Sequence, residues 1–218
     1  VNTRFRSSEV GDLLKRSGAK LLVFWPTFKG INFTNILSEI DTGFLTTLKT
    51  VVSYSEGTET QVESVNGLPS YNYETLLHKK KWAQDRAGME SDCIIFTTSG
   101  TTKTPKLVLH GQKGVSQHVS EVALRLSFDQ PEATLLQVIP FCGVFGFSQA
   151  LAALAGGAGI VCVPEFSVDE TLELIDKHKI THLCGSDEMF MRLLTARPKP
   201  NPFPTIKFFG YANFTPSL

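Results

Sequence analysis

Apolar residues alternate along the chain between spaced stripes, which suit helices, and short continuous runs, which suit strands. Val10, Leu13 and Leu14 form a helical stripe that Ser7 can open as N-cap and Gly18 can close. The apolar run over residues 20–25 follows at once and predicts a buried strand, so helix and strand make half of a βαβ unit. Residues 27–46 predict helix plus loop, 48–54 a second strand, and the polar stretch 55–70 a surface loop. Residues 74–82 suit a short helix with a basic, solvated outer face.

The second half alternates more regularly. Residues 93–96 predict a strand running into a Thr/Ser/Gly segment, and 107–109 a strand leaving it, so the two can form a hairpin around that segment. Val115, Val119, Val122 and Leu126 mark one helix face. Strands are then expected at 134–139, 159–163, 180–184 and 206–209, with helices at 145–154, from Ser167 through Ile175, and from Ser186 through Leu194. Ser167 and Glu170 have the spacing of a capping box, and Lys177-His178-Lys179 puts positive charge at that helix's C-terminal end. The alternation predicts an α/β protein, with largely parallel sheets layered with helices.

Composition removes several classes. In 218 residues, 21 basic and 21 acidic side chains cancel, which argues against a broad nucleic-acid-binding face and leaves room for a local anion site. From Ala133 to Pro164 there is no charged residue, but Pro140, Ser148, Gln149 and Gly156-Gly157 break the stretch into strand, helix and strand, so no transmembrane segment is expected. Cys93, Cys142, Cys162 and Cys184 lack zinc-site spacing and lie in apolar runs. They are expected as buried free thiols in a cytoplasmic protein. With no secretory signal visible, the sequons at Asn32 and Asn213 read as chance matches. Glu165, Asp169 and Glu170 read as a helix start and not as a metal site.

Residues 97–106, Thr-Thr-Ser-Gly-Thr-Thr-Lys-Thr-Pro-Lys, concentrate chemistry. Clustered hydroxyls, open backbone N–H groups and two lysines are the parts of a polyphosphate cradle, although the spacing is not that of a Walker A loop. The same segment read as a Thr-rich surface hairpin needs no ligand at all.

Its order resembles the phosphate loop of the AMP-forming acyl-activating enzymes, namely acyl-CoA synthetases, firefly luciferase and the adenylation domains of nonribosomal peptide synthetases. Thr98-Ser99-Gly100-Thr101-Thr102 and Pro105-Lys106 match that loop in register, with Val108 and His110 behind it. Lys103 and Leu107 stand where the family has glycines. The segment 139–146, Ile-Pro-Phe-Cys-Gly-Val-Phe-Gly, looks like the family's Leu-Pro-Leu-Phe-His-x-x-Gly, with Gly143 at the frequent histidine. Residues 209–214 look like the adenine-side Gly-Gly-Ala-Pro-Leu, with Asn213 at the proline.

The resemblance implies a large part of the N-terminal domain of an ATP-dependent acid:CoA ligase, a fold of the αβαβα type. It implies a first subregion over 1–90 and a second, with phosphate loop and acyl pocket, over 91–218. Thr98, Ser99, Gly100, Thr101, Thr102 and Lys106 would bind the ATP phosphates. Gly210, Tyr211 and Ala212 would lie beside adenine, and Gly143, Phe145 and Gly146 would line the acyl pocket. His110 would close the hairpin as a structural residue. ATP, Mg²⁺, coenzyme A and a carboxylic acid, fatty or aryl, are the implied cofactors and partners. The family's Mg²⁺-associated Glu motif and the C-terminal domain with its catalytic lysine would follow Leu218, so these residues alone are expected to be inactive and to hold no metal site. Two alternatives stay open: a non-catalytic nucleotide- or protein-binding relative, and an adenylation domain that loads a carrier protein.

Overall fold

In a computed structural model of the chain, residues 1–55, 62–79, 87–98 and 105–212 are described, and they fall into two compact units, Val1–Arg86 and Ala87–Leu218. The first unit begins with α1 (Ser7–Ser17), which buries Val10, Leu13 and Leu14. Its N-cap is Arg6 and not Ser7: the Arg6 N–H donates to the Glu9 carboxylate at 3.0 Å. That hydrogen bond holds the Glu9 carboxyl below its ordinary pKa. Gly18 closes the helix at φ 65°, a left-handed conformation that costs other residues about 1–2 kcal/mol.

The chain continues through β1 (Leu21–Phe24), the small hairpin β2 (Thr27–Phe28) and β3 (Ile31–Asn32), α2 (Phe33–Ser38) and β4 (Thr50–Ser53). Next come β5 (Ser64–Val65), β6 (Leu68–Asn72) and α3 (Tyr73–Leu77). The sheet order is β1-β4-β6-β5, with only the β5–β6 pair antiparallel. The described part of the expected 55–70 loop is therefore partly sheet. Asn66 and Gly67, both at positive φ, make the tight turn between β5 and β6, the geometry an Asn-Gly pair favours. Asn66 also donates its side-chain amide to the Leu37 carbonyl at 2.7 Å, which ties the turn to the core.

The second unit opens with an antiparallel hairpin, β7 (Asp92–Thr98) and β8 (Lys106–Gly111), followed by α4 (Gln112–Arg125). Then β9 (Thr134–Gln137), α5 (Val144–Gly156), β10 (Gly159–Cys162), α6 (Val168–Lys177), β11 (His182–Ser186), α7 (Asp187–Ala196) and β12 (Phe208–Ala212) alternate as the periodicity predicts. The uncharged stretch from 133 to 164 is strand, helix and strand, and α5 ends where Gly157 takes φ 80°. Among the described residues no helix is long and apolar enough to cross a membrane. Ser186 caps α7 by accepting the Met189 N–H at 3.2 Å, whereas Ser167 makes no side-chain cap to α6, so the expected capping box does not form.

The sheet is fully parallel in the order β10-β9-β11-β12. Alternation along β9 sends Leu135 to the cluster with α4 and α5 and Leu136 to the cluster with α6 and α7, so helices cover both faces. The crossover from β9 runs outward to β10, and the next one returns past β9 to β11. Adjacent strands whose connections leave in opposite directions form a switch point, and ligands of open α/β sheets sit at its carboxyl edge. The four cysteines are not uniformly buried: Cys184 is, while Cys93, Cys142 and Cys162 are exposed, Cys93 near the start of β7, Cys162 at the end of the edge strand β10 and Cys142 in the turn after β9.

His182, which carried no expectation, organises this sheet. It is 2% exposed and lies between the rings of Phe128 and Phe208, at 4.4 and 4.7 Å. Its Nε2–H donates to the Leu126 carbonyl at 2.6 Å, and Nδ1 meets the Thr181 hydroxyl at 2.7 Å. Burial holds the imidazole below its ordinary value of 6.5, the Leu126 carbonyl opposes this, and Lys207, itself paired with Glu132, adds to the depression. The unfolded chain therefore takes up this proton first. The stability tied to neutral His182 is full above pH 6.5 and drains away as pH falls through the lowered folded value. Denaturant midpoints measured from pH 8 to pH 5 should fall more steeply for the native chain than for His182→Asn. Equal slopes would show that this group does not govern the loss.

Candidate functional site

The β7–β8 ladder pairs Thr98 directly with Lys106, so these two residues face each other at the open end of the hairpin. Ser99, Gly100, Thr101 and Thr102, with Lys103, lie outside the described residues. Both Thr98 and Lys106 are exposed, and Lys106 makes no ion pair with another described residue. An unpaired ammonium beside a hydroxyl is suited to an anion. The hairpin is held from one side by Phe96, which is buried and meets His110 edge-on at 5.7 Å and Phe147 of α5 at 5.3 Å. His110 thus packs within the hairpin across from Ile94.

The segments expected on the acyl side and on the adenine side meet at the carboxyl edge of the parallel sheet. Gly143 is the N-cap of α5, and Phe145 and Gly146 fall in that helix's first turn. A Cβ built on Gly146 would lie 2.5 Å from the Pro140 carbonyl oxygen and 2.7 Å from that of Ile139, so only glycine lets the helix start this close to the turn. A Cβ on Gly210 would lie 2.7 Å from Cys184 Sγ and 3.8 Å from the tip of the Phe145 ring. Phe145 and Gly210 are therefore neighbours, though 65 positions separate them in the sequence.

Alternation along β12 places Gly210 and Ala212 on the Phe145 side and Tyr211, 66% exposed, on the α7 side with Phe209. Beneath Gly210, burial pushes the Cys184 thiol up to about 11, so it stays a neutral packing group at pH 7. Phe145 does not line the cavity of about 270 Å³ that opens under the hairpin. Phe96, Val119, Val144 and Phe147 do, with Ser148 Oγ and His118 Nε2 joined at 2.8 Å in its wall.

Sequence reasoning passed over one residue at this edge. Gln137 is 4% exposed at the end of β9, and its Nε2 donates to the carbonyls of Ile139, at 2.5 Å, and Gly146, at 3.2 Å. The only signal was a polar residue inside an apolar strand run. Among the described residues, no group of three or more His, Cys, Asp or Glu side chains could hold a metal.

The family model for AMP-binding enzymes matches residues 1–218. The chain belongs to the AMP-binding enzyme family. Two plant relatives align along nearly its whole length. "Probable acyl-activating enzyme 5, peroxisomal" of Arabidopsis thaliana is 27% identical over 93% of the chain, and trans-cinnamate:CoA ligase, peroxisomal, of Petunia hybrida is 25% identical over 91%. The chain spans only about a third of each, 36% of their lengths. Among solved structures, o-succinylbenzoate coenzyme A synthetase of Bacillus subtilis, in complex with ATP and magnesium ion, superposes on 97% of the chain and 38% of its own, with TM-score 0.67 and 18% identity. The fold of this family member is thus that of the N-terminal domain of AMP-forming ligases.

Proposed function

We propose that the chain is part of the N-terminal domain of an ATP-dependent carboxylic acid:CoA ligase, which forms an acyl-adenylate and then an acyl thioester. The observation that carries this is the pairing of Thr98 with Lys106 at the mouth of a hairpin whose intervening sequence has the family's phosphate-loop order. Family membership and the names of the relatives, acyl-activating enzyme and CoA ligase, support it.

In this reading the carboxylate attacks the α-phosphate of ATP, and the pyrophosphate leaves toward the hairpin mouth. The Lys106 ammonium and Thr98 hydroxyl, with Ser99, Gly100, Thr101 and Thr102, offset the charge that builds on it, which is electrostatic stabilisation and not proton transfer. Gly210, Tyr211 and Ala212 form the adenine side, with Gly210 packed against Cys184 and Phe145 on one face of β12 and Tyr211 exposed on the other. Gly143, Phe145 and Gly146 hold the acid against phosphorus, so the rate gain there is positional. Among the described residues no group of three or more His, Cys, Asp or Glu side chains marks a magnesium site. Coenzyme A is the proposed thiol. A carrier protein in its place, or a protein that binds nucleotide without reacting, are the competing outcomes. A cytoplasmic location is part of the same proposal.

The test is carboxylate-dependent exchange of labelled pyrophosphate into ATP. The full-length protein should exchange with fatty or aryl acids and transfer the acyl group to CoA, while residues 1–218 alone should not exchange. Exchange with amino acids only, or transfer only to a carrier protein, would replace the CoA ligase reading. No exchange with any acid would leave the non-catalytic relative.

A further inference from the structure

We infer that Gln137 is a positioning residue, one that clamps the turn between β9 and α5 and so sets where the acid substrate sits. The inference rests on the reading of residues 143–146 as the acyl side of the site.

First, Gln137 ends the strand at the switch point of the parallel sheet, the edge where a ligand is expected on topology alone. A polar side chain has no packing reason to be there. Leu135, two residues earlier on the same face, is wholly buried among apolar groups. Second, both hydrogen bonds go to backbone. The Ile139 carbonyl lies at the start of the turn and the Gly146 carbonyl in the first turn of α5 beyond it, and one amide nitrogen reaches both. Two carbonyl acceptors also fix the orientation of the amide, because only its NH₂ can donate to each of them. Third, the turn has no slack. The clearance at Gly146 would not admit a Cβ against either Ile139 or Pro140, so the clamp and the glycine impose the same close approach. Phe145 is carried between these fixed points and is delivered against Gly210.

Gln137 is buried and its amide nitrogen is committed to two backbone carbonyls. It acts through Phe145 and Gly146, and its loss should be felt by the acid and not by ATP. Gln137→Met keeps length and volume but removes both donors. Gln137→Glu keeps the shape but sets a carboxylate against two carbonyls. In the full-length enzyme, Gln137→Met should raise the acid KM in pyrophosphate exchange on the order of tenfold or more, with the ATP KM within about twofold, since small displacements of a reacting group cost factors of this size. Gln137→Glu should be at least as impaired at pH 8 and should recover as pH falls, because a protonated carboxyl can again donate one bond. Gln137→Met has no proton to regain and should show no such recovery. Independently of activity, hydrogen exchange at the Phe147 amide, which is bonded to the Gly143 carbonyl at 3.0 Å, should quicken about tenfold in Gln137→Met.

An unchanged acid KM in Gln137→Met, or acid and ATP KM values rising together, would overturn the positioning role. So would an unchanged Phe147 amide. A native protein that exchanges with no acid would instead overturn the ligase reading on which the inference rests.

Discussion

Replacing Lys106 with Met in the full-length protein is expected to slow acid-dependent pyrophosphate exchange by about 10²–10³-fold, the cost of removing one oriented charge from a developing anion. Lys106 is exposed and pairs with no described carboxylate, so its charge serves nothing else in the fold that the described residues reveal. Stability should accordingly change by no more than about 0.5 kcal/mol. The Met side chain retains the aliphatic stem, which separates charge from packing. Exchange within threefold of the native rate would remove Lys106 from the phosphate site and leave the Thr-rich segment as a surface hairpin.

The second large effect is expected from Gly146→Ala. In an open helical position this change would stabilise, by up to about 1 kcal/mol, because alanine is the better helix former. At Gly146 the new Cβ would press on two backbone oxygens, at 2.5 and 2.7 Å, and backbone cannot step aside as a side chain can. The strain of such overpacking is about 1–3 kcal/mol, which outweighs the propensity gain. A net loss of about 1–2 kcal/mol lowers the melting temperature of a chain this size by about 2–8 °C. The acid-dependent exchange should fall further than stability does, because the displaced turn carries Phe145. Gly114→Ala in α4 is the control: a Cβ there meets nothing within 4 Å, so it should be neutral or slightly stabilising. A Gly146→Ala protein as stable as Gly114→Ala would show that the turn yields.

The alternating elements of the second unit were legible because each helix and strand carries its own period, and glycines such as Gly157 mark the changes. The hairpin was legible for the same reason: two apolar runs flank a polar segment, and the register follows once they pair. The β5–β6 turn was missed because polar composition hid the local meaning of Asn66-Gly67. The capping box at Ser167 failed because matching spacing does not ensure that a hydroxyl turns toward its N–H. The cysteines were misjudged because an apolar run does not say where a strand lies in its sheet or where it ends, and Cys93 and Cys162 sit near strand ends, Cys162 on the edge strand β10.

The candidate site divides along the same line. Thr98 and Lys106 are close in sequence, so their meeting could be foreseen. Phe145 and Gly210 meet only because β12 joins the sheet beside β11, a pairing no local pattern encodes. Gln137 and His182 were illegible for a related reason. Each is a polar side chain whose partners, at 139 and 146 or at 126, are set by the path of the chain between strands.

The position of β9 inside its sheet also has a bearing on how the unit assembles. β9 is made first of the four strands yet is flanked on both sides by strands made later. It cannot be fully paired until the chain has returned to it from far downstream, as in the contacts of Thr134 with Thr181, 47 residues on. Until that return closes, the edge of β9 that will pair with β11 keeps its backbone groups unpaired, and the Leu136 face lacks the cover of α7. Long-range closures of this kind are the slow events in folding. During synthesis, then, the central strand of the finished sheet is the one that waits longest for its second neighbour.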